Sequence, residues 1–130
     1  MKAAPATSTY TVDFARRPAP RPTVAPVGRV PRVVKLLALA HRVDAMIRVG
    51  ELKDLADAAR TLGLTRARVT QVMNLLLLAP EIQEAILDLP AVISGRDPVT
   101  ERQLRVVVTE TEWSRQVVTW TQNLRLVDCN

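Results

Sequence analysis

From Val30 onward the apolar positions recur every three or four residues: Val33, Leu36, Leu37, Ala40 and Val43, with Arg32, Lys35, Arg42 and Asp44 mostly between them. That period lines one face of a helix. Pro31 suits a first turn, where its missing N–H has no partner to lose, and Gly50 suits a C-terminal stop. A first helix is predicted over 31–49 and a second over 51–62, with Leu52, Leu55, Ala56, Ala59 and Leu62 on one face. Gly63 ends the second. Thr65 is a good N-cap for a third helix over 66–78, because its hydroxyl can accept from an unbonded first-turn N–H. Ala79-Pro80 breaks that helix. Pro80 then opens a fourth, to about Leu89, with Glu81 and Glu84 favourably near its positive end.

Ser94-Gly95-Arg96-Asp97-Pro98 is a turn-forming cluster. Thr100-x-x-Gln103 and Thr109-x-x-Glu112 both carry the capping-box pattern. They predict a fifth helix of about eight residues and a sixth reaching about Asn123. No stretch alternates with period two. The expected fold class is all-α, a five- to six-helix domain over 30–130. A length of 130 residues fits one such domain.

Residues 1–29 read differently. Six of the nine prolines (Pro5, Pro18, Pro20, Pro22, Pro26 and Pro31) lie in or just after this stretch, and large apolar residues are few. Such a segment buries too little surface to offset its chain entropy, so a disordered basic arm is expected. The formal net charge is +5, but it is not evenly spread. Residues 1–35 hold Lys2, Arg16, Arg17, Arg21, Arg29, Arg32 and Lys35 against Asp13 alone. The remainder is close to neutral. The arm is thus a candidate phosphate tether, a minor-groove arm or a plain linker.

One Cys and one His exclude a disulfide framework and any Cys/His zinc site built from this chain alone. Cys129, the lone thiol, fits a reducing compartment. No apolar run follows Lys2, and Leu75 to Pro80 falls far short of the roughly 20 residues of a membrane span. A cytoplasmic, nucleoid-associated protein without membrane contact is expected.

The informative segment is Leu55–Asn74, LADAARTLGLTRARVTQVMN. A helix-turn-helix needs a small residue where its helices cross, a permissive residue in the turn, and apolar residues that plug the angle. Ala59, Gly63, Leu64 and Val69 stand at those places, with Leu62 and Val72 completing the inner face. Thr65, Arg66, Ala67, Thr70, Gln71 and Asn74 fall together on the outer face. These are groups that suit the major groove: Arg for guanine O6/N7, Gln and Asn for adenine N6/N7, Ala or a Thr methyl for thymine. No acid lies between Arg66 and Leu78. Arg60 and Arg68 are candidate phosphate contacts.

The segment LTRARVTQVMNLLLLAPEIQEAILDLP resembles the helix-turn-helix core of ParB/KorB-type partition proteins. It also resembles short helix-turn-helix proteins or C-terminal segments that accompany bacterial and phage-like serine recombinases. The resemblance covers about residues 30–115. It implies a DNA-binding module in which Thr65, Arg66, Ala67, Thr70, Gln71 and Asn74 match the recognition-helix positions. The nucleotide-binding domain of partition proteins and the catalytic domain of recombinases have no counterpart here. Neither CTP binding nor recombinase activity is therefore implied.

The expectation is sequence-selective double-stranded DNA binding, as a homodimer, in a regulator or a recombinase or partition accessory factor. The alternative is a helical module that binds a recombinase or other protein without reading DNA. No enzyme constellation, cofactor or metal site is expected. His41 near Asp44 reads as a solvated side chain. Asp54/Asp57, Glu81/Glu84 and Glu110/Glu112 read as acids at helix starts. Trp113 and Trp120, with Val117 between them, read as core packing or as a dimer or partner face.

Overall fold

The computed structural model describes residues 27–128, and side chains as far as Leu124. Most of the expected arm, residues 1–26, lies outside the described residues. Among the described residues there are six α-helices: α1 (Arg32–Arg48), α2 (Leu55–Leu62), α3 (Arg66–Met73), α4 (Pro80–Leu87), α5 (Glu101–Val108) and α6 (Trp113–Asp128). Among the described residues there is no strand, only one antiparallel bridge between Arg29 and Val92.

α1 is the central element, packing against α3, α4 and the segment between them. Its buried stripe serves two clusters in turn. Val33 and Leu37 join Leu75, Leu78, Ile82, Ile86, Leu104, Val107 and Trp120 in the larger cluster. Val43 joins Leu52, Ala58, Ala59 and Val69 in the smaller one. Pro31, the residue before α1, offers no side-chain cap. The cap comes from far along the chain: the Asp97 carboxylate accepts the Arg32 N–H at 3.0 Å and pairs with the Arg29 guanidinium. A carboxylate at a helix N-terminus meets both an unbonded donor and the positive end of the dipole. That backbone bond, reinforced by Arg29, holds the Asp97 carboxyl below its ordinary range.

This pairing moves the expected domain boundary. Gly28 and Arg29 belong to the folded part, not to an arm. The Arg29 N–H donates to Val92 O at 2.9 Å and the Val92 N–H returns to Arg29 O at 2.8 Å. Gly28 passes so close to Ala91 that a Cβ there would meet the Ala91 Cβ at 2.8 Å.

Three further expectations are corrected. The second helix starts at Leu55, not Glu51, because Asp54 takes the N-cap: its carboxylate accepts the Asp57 N–H at 2.8 Å. Leu52 is buried all the same, from the loop. The third helix does not run evenly to Leu78. It tightens after Met73 into a 3₁₀ segment, Asn74–Leu77, whose last carbonyls are met by a side chain from α4. Gln83 Nε2 donates to Leu76 O at 3.2 Å and to Leu78 O at 2.9 Å. Lastly, only one of the two capping boxes forms. Thr100 and Gln103 exchange both bonds, whereas the Thr109 hydroxyl turns back to donate to Val106 O, and α6 begins at Trp113 and runs on to Asp128.

Gln116 is the polar side chain at the heart of the larger cluster, 1% exposed. Its Oε1 accepts the Ala79 N–H at 2.7 Å. Its Nε2 donates to Leu77 O at 3.1 Å and to Glu110 O at 2.9 Å. One amide thus fastens α6 to the bend between α3 and α4 and to the α5–α6 link. The two tryptophans part company here. Trp120 is in the core, while Trp113 is 56% exposed and borders a groove with Pro80 and Glu81.

Candidate nucleic-acid interface

α2 and α3 meet through a short turn whose geometry is set by Gly63. Its φ of 66° lies in the left-handed region, which side chains with a Cβ rarely enter. The turn lets the Leu64 N–H reach back to Ala59 O at 2.9 Å. Ala59 itself is buried where α2 and α3 cross, and Ala58 beside it is fully enclosed. Val69 and Val72 of α3 are buried, as the inner-face reading requires. Leu62 and Leu64 are less enclosed than expected, 40% and 38% exposed. They border a tight crevice with Leu39, Val43 and Val69 and close it from outside.

The opposite face of α3 is polar and open. Thr65 caps the helix, its hydroxyl accepting the Arg68 N–H at 3.1 Å. Arg66, Ala67, Thr70, Gln71 and Asn74 are all exposed. The Thr70 hydroxyl donates back to Arg66 O at 3.0 Å, leaving its methyl as the apolar contact. The Arg66 guanidinium has no partner among the described residues. Arg60 stays on the surface, with an exposed contact to Asp57 at 3.3 Å.

Arg68 departs from the expected outward role. Its guanidinium forks onto Glu101 of α5, with N–O distances of 2.6 Å and 3.1 Å. Two parallel charge-assisted bonds fix geometry as well as energy. Glu101 also accepts from Arg105 at 3.2 Å. The Arg68 guanidinium, helped by Arg105, holds the Glu101 carboxyl below its ordinary range, against the opposing effect of burial. The same hydrogen bond raises the Arg68 pKa. An acid therefore does approach this face, from α5, flanked by two guanidinium groups.

Gln71 completes the cluster. Its Oε1 accepts from Arg105 Nη2 at 3.1 Å and from Arg68 Nη1 at 3.3 Å. Neither Arg105 nor Glu101 was singled out in the sequence. A helix-spaced Glu/Arg pair reads as an ordinary solvated face, and nothing local signals that it lies against α3. Beside the cluster, a groove of about 400 Å³ runs between Asn74, Leu77, Arg105 and Thr109.

Two of the acids singled out in the sequence have structural employment. Asp54 caps α2, and Asp57 accepts the Lys53 N–H at 3.1 Å. His41 is hydrogen-bonded rather than merely solvated, its Nε2 lying 2.9 Å from Gln83 Oε1. No described helix is long and apolar enough to cross a membrane. No family model, no curated protein and no solved structure matches this chain.

Proposed function

We propose that this protein binds double-stranded DNA sequence-selectively, with α3 lying in the major groove. The observation that carries the reading is the two-sided character of α3. Val69 and Val72 are buried against α1 and α2, while Arg66, Ala67, Thr70, Gln71 and Asn74 form an exposed stripe of short or forked hydrogen-bonding groups. The left-handed turn at Gly63 and the small crossing residue Ala59 are what a helix-turn-helix needs. The resemblance of LTRARVTQVMN to the partition and recombinase-associated modules points the same way.

Within this reading Arg66 is the leading base or phosphate contact. Thr65, at the N-terminal end of α3, suits a phosphate contact. Ala67 and the Thr70 methyl suit a thymine methyl. Arg60 suits a phosphate contact, and Arg68 acts from behind, holding α3 to α5. A single module of this size reads few base pairs, so a homodimer on two half-sites is the expected assembly. The biological setting is a regulator or an accessory to recombination or partition.

Selection of bound duplexes from a random library, followed by titration of the enriched site, tests the reading. Arg66→Ala should lower affinity for that site by about tenfold or more while leaving the melting temperature nearly unchanged. Failure of the wild-type chain to enrich any sequence would sink it.

A second reading has its own support. Trp113, Leu77, Val106 and Val118 are large apolar side chains left more than half exposed. They suit a module that docks on another protein, such as a recombinase, without reading DNA. The same selection separates the two.

A further inference from the structure

The Gln71 amide is not free to turn. Arginine carries only donors, so whatever faces a guanidinium must be the amide oxygen. Two guanidinium groups face this one: Arg105 Nη2 at 3.1 Å and Arg68 Nη1 at 3.3 Å. Both arginines are in turn held by the Glu101 carboxylate, at 3.2 Å and 2.6 Å. The orientation therefore follows from chemistry and not from a choice between two similar atoms. The Oε1 is committed inward, and the Nε2, with its two hydrogens, has no partner among the described residues.

We infer that Arg105, acting through Gln71, sets the base preference of α3 at one position and turns it from adenine to guanine. The inference rests on the DNA-reading proposal. A free glutamine pairs with adenine through both amide atoms, accepting from N6 and donating to N7. With its oxygen occupied, Gln71 cannot accept from adenine N6 without giving up a charge-assisted bond. Cytosine offers a donor in the major groove and is rejected for the same reason. Guanine offers two acceptors, N7 and O6, whereas adenine (N7) and thymine (O4) offer one each. A donor-only Gln71 therefore ranks guanine first. Arg105 is a positioning residue in this scheme. It lies on α5, outside the helix-turn-helix, and fixes which half of the Gln71 amide is presented.

The test is selection from a random duplex library with the full chain, comparing wild type, Gln71→Ala, Arg105→Ala and Arg105→Lys. In the wild type one position should prefer guanine over adenine by about tenfold. Gln71→Ala should erase that preference at that position and leave the others intact. Arg105→Ala, which leaves only the longer 3.3 Å bond from Arg68 on the Gln71 oxygen, should weaken the guanine preference at that position and let adenine gain on it. Arg105→Lys, which keeps a donor, should hold guanine. Circular dichroism melting of each variant confirms that the comparison is among folded chains. An Arg105→Ala variant that loses affinity evenly across all sequences would mark Arg105 as a phosphate contact and overturn the inference. A Gln71-dependent adenine preference in the wild type would overturn it too, while leaving the DNA-reading proposal standing. No enrichment by the wild-type chain would overturn both.

Discussion

The two hydrophobic clusters differ in what they are made of. The larger one is built from eleven buried residues contributed by α1, α4, α5, α6 and the segments around them, mostly Leu, Ile and Val with Trp120. The smaller one has five, two of them alanine, and holds α2 and α3 against the far end of α1. The α2–α3 pair thus has fewer large buried apolar side chains of its own than the rest of the fold. It needs small residues to let its helices cross, and small residues bury little area. Its position is secured instead by α1, which runs through both clusters, and by the Arg68–Glu101 fork. A thin α2–α3 pair with a polar outer face is mounted on a thick aliphatic support.

The largest expected contrast is between core truncations in the two clusters. Leu37→Ala should lower the unfolding free energy by about 3 kcal/mol and Val43→Ala by about half as much, measured by chemical denaturation. If Val43→Ala instead releases α2 and α3 in hydrogen exchange while α4 to α6 stay protected, the two regions are separate cooperative units. Next comes Gln116→Leu. It keeps much of the volume but strips bonds from the Ala79 N–H and the Leu77 and Glu110 carbonyls. A loss of about 2 kcal/mol is expected, and a neutral result would mean that the bend needs no fastening.

Gly63→Ala probes the α2–α3 pair alone. Nothing lies within 4 Å of the added methyl, so the cost is backbone strain of about 1 kcal/mol. It should appear as a lower melting temperature with faster exchange in α2 and α3. The smallest effect belongs to the Glu101 carboxylate, and it carries a sign in pH. The carboxyl is held below its ordinary range in the folded chain. Its contribution is therefore complete above the unfolded-state pKa and is lost as pH falls through the folded value. Glu101→Gln should be slightly less stable than wild type at neutral pH, and the gap should close in acid. A gap that persists unchanged in acid would show that shape, not charge, joins α3 to α5.

Much of this arrangement is legible in the sequence wherever a signal is local. The apolar period of α1, Pro80 opening α4, the Thr65 cap and the Thr100–Gln103 box are all local, and each is found where the pattern places it. Errors gather where two local signals compete. Leu52 keeps phase with Leu55 and Ala59, so it reads as helix, although Asp54 behind it is the better N-cap. Thr109-x-x-Glu112 has the letters of a box, but its hydroxyl prefers a carbonyl of the helix it ends. Of the candidate interface, the exposed stripe on α3 is readable from spacing alone. The buttress behind it is not. Arg68, Gln71, Glu101 and Arg105 come together only because α5 folds back over α3, and no pattern within either helix records that approach.

The contact between His41 and Gln83 has a use of its own. Both hydrogens of the Gln83 amide are spent on the Leu76 and Leu78 carbonyls, so its oxygen must accept, and the neutral His41 ring must carry its proton on Nε2. This chain has a single imidazole. Its ring-nitrogen resonances therefore form a built-in, isolated spectroscopic gauge of the joint between α1, α4 and the 3₁₀ segment. A change of tautomer would announce that the joint had opened, with no label attached and no residue replaced.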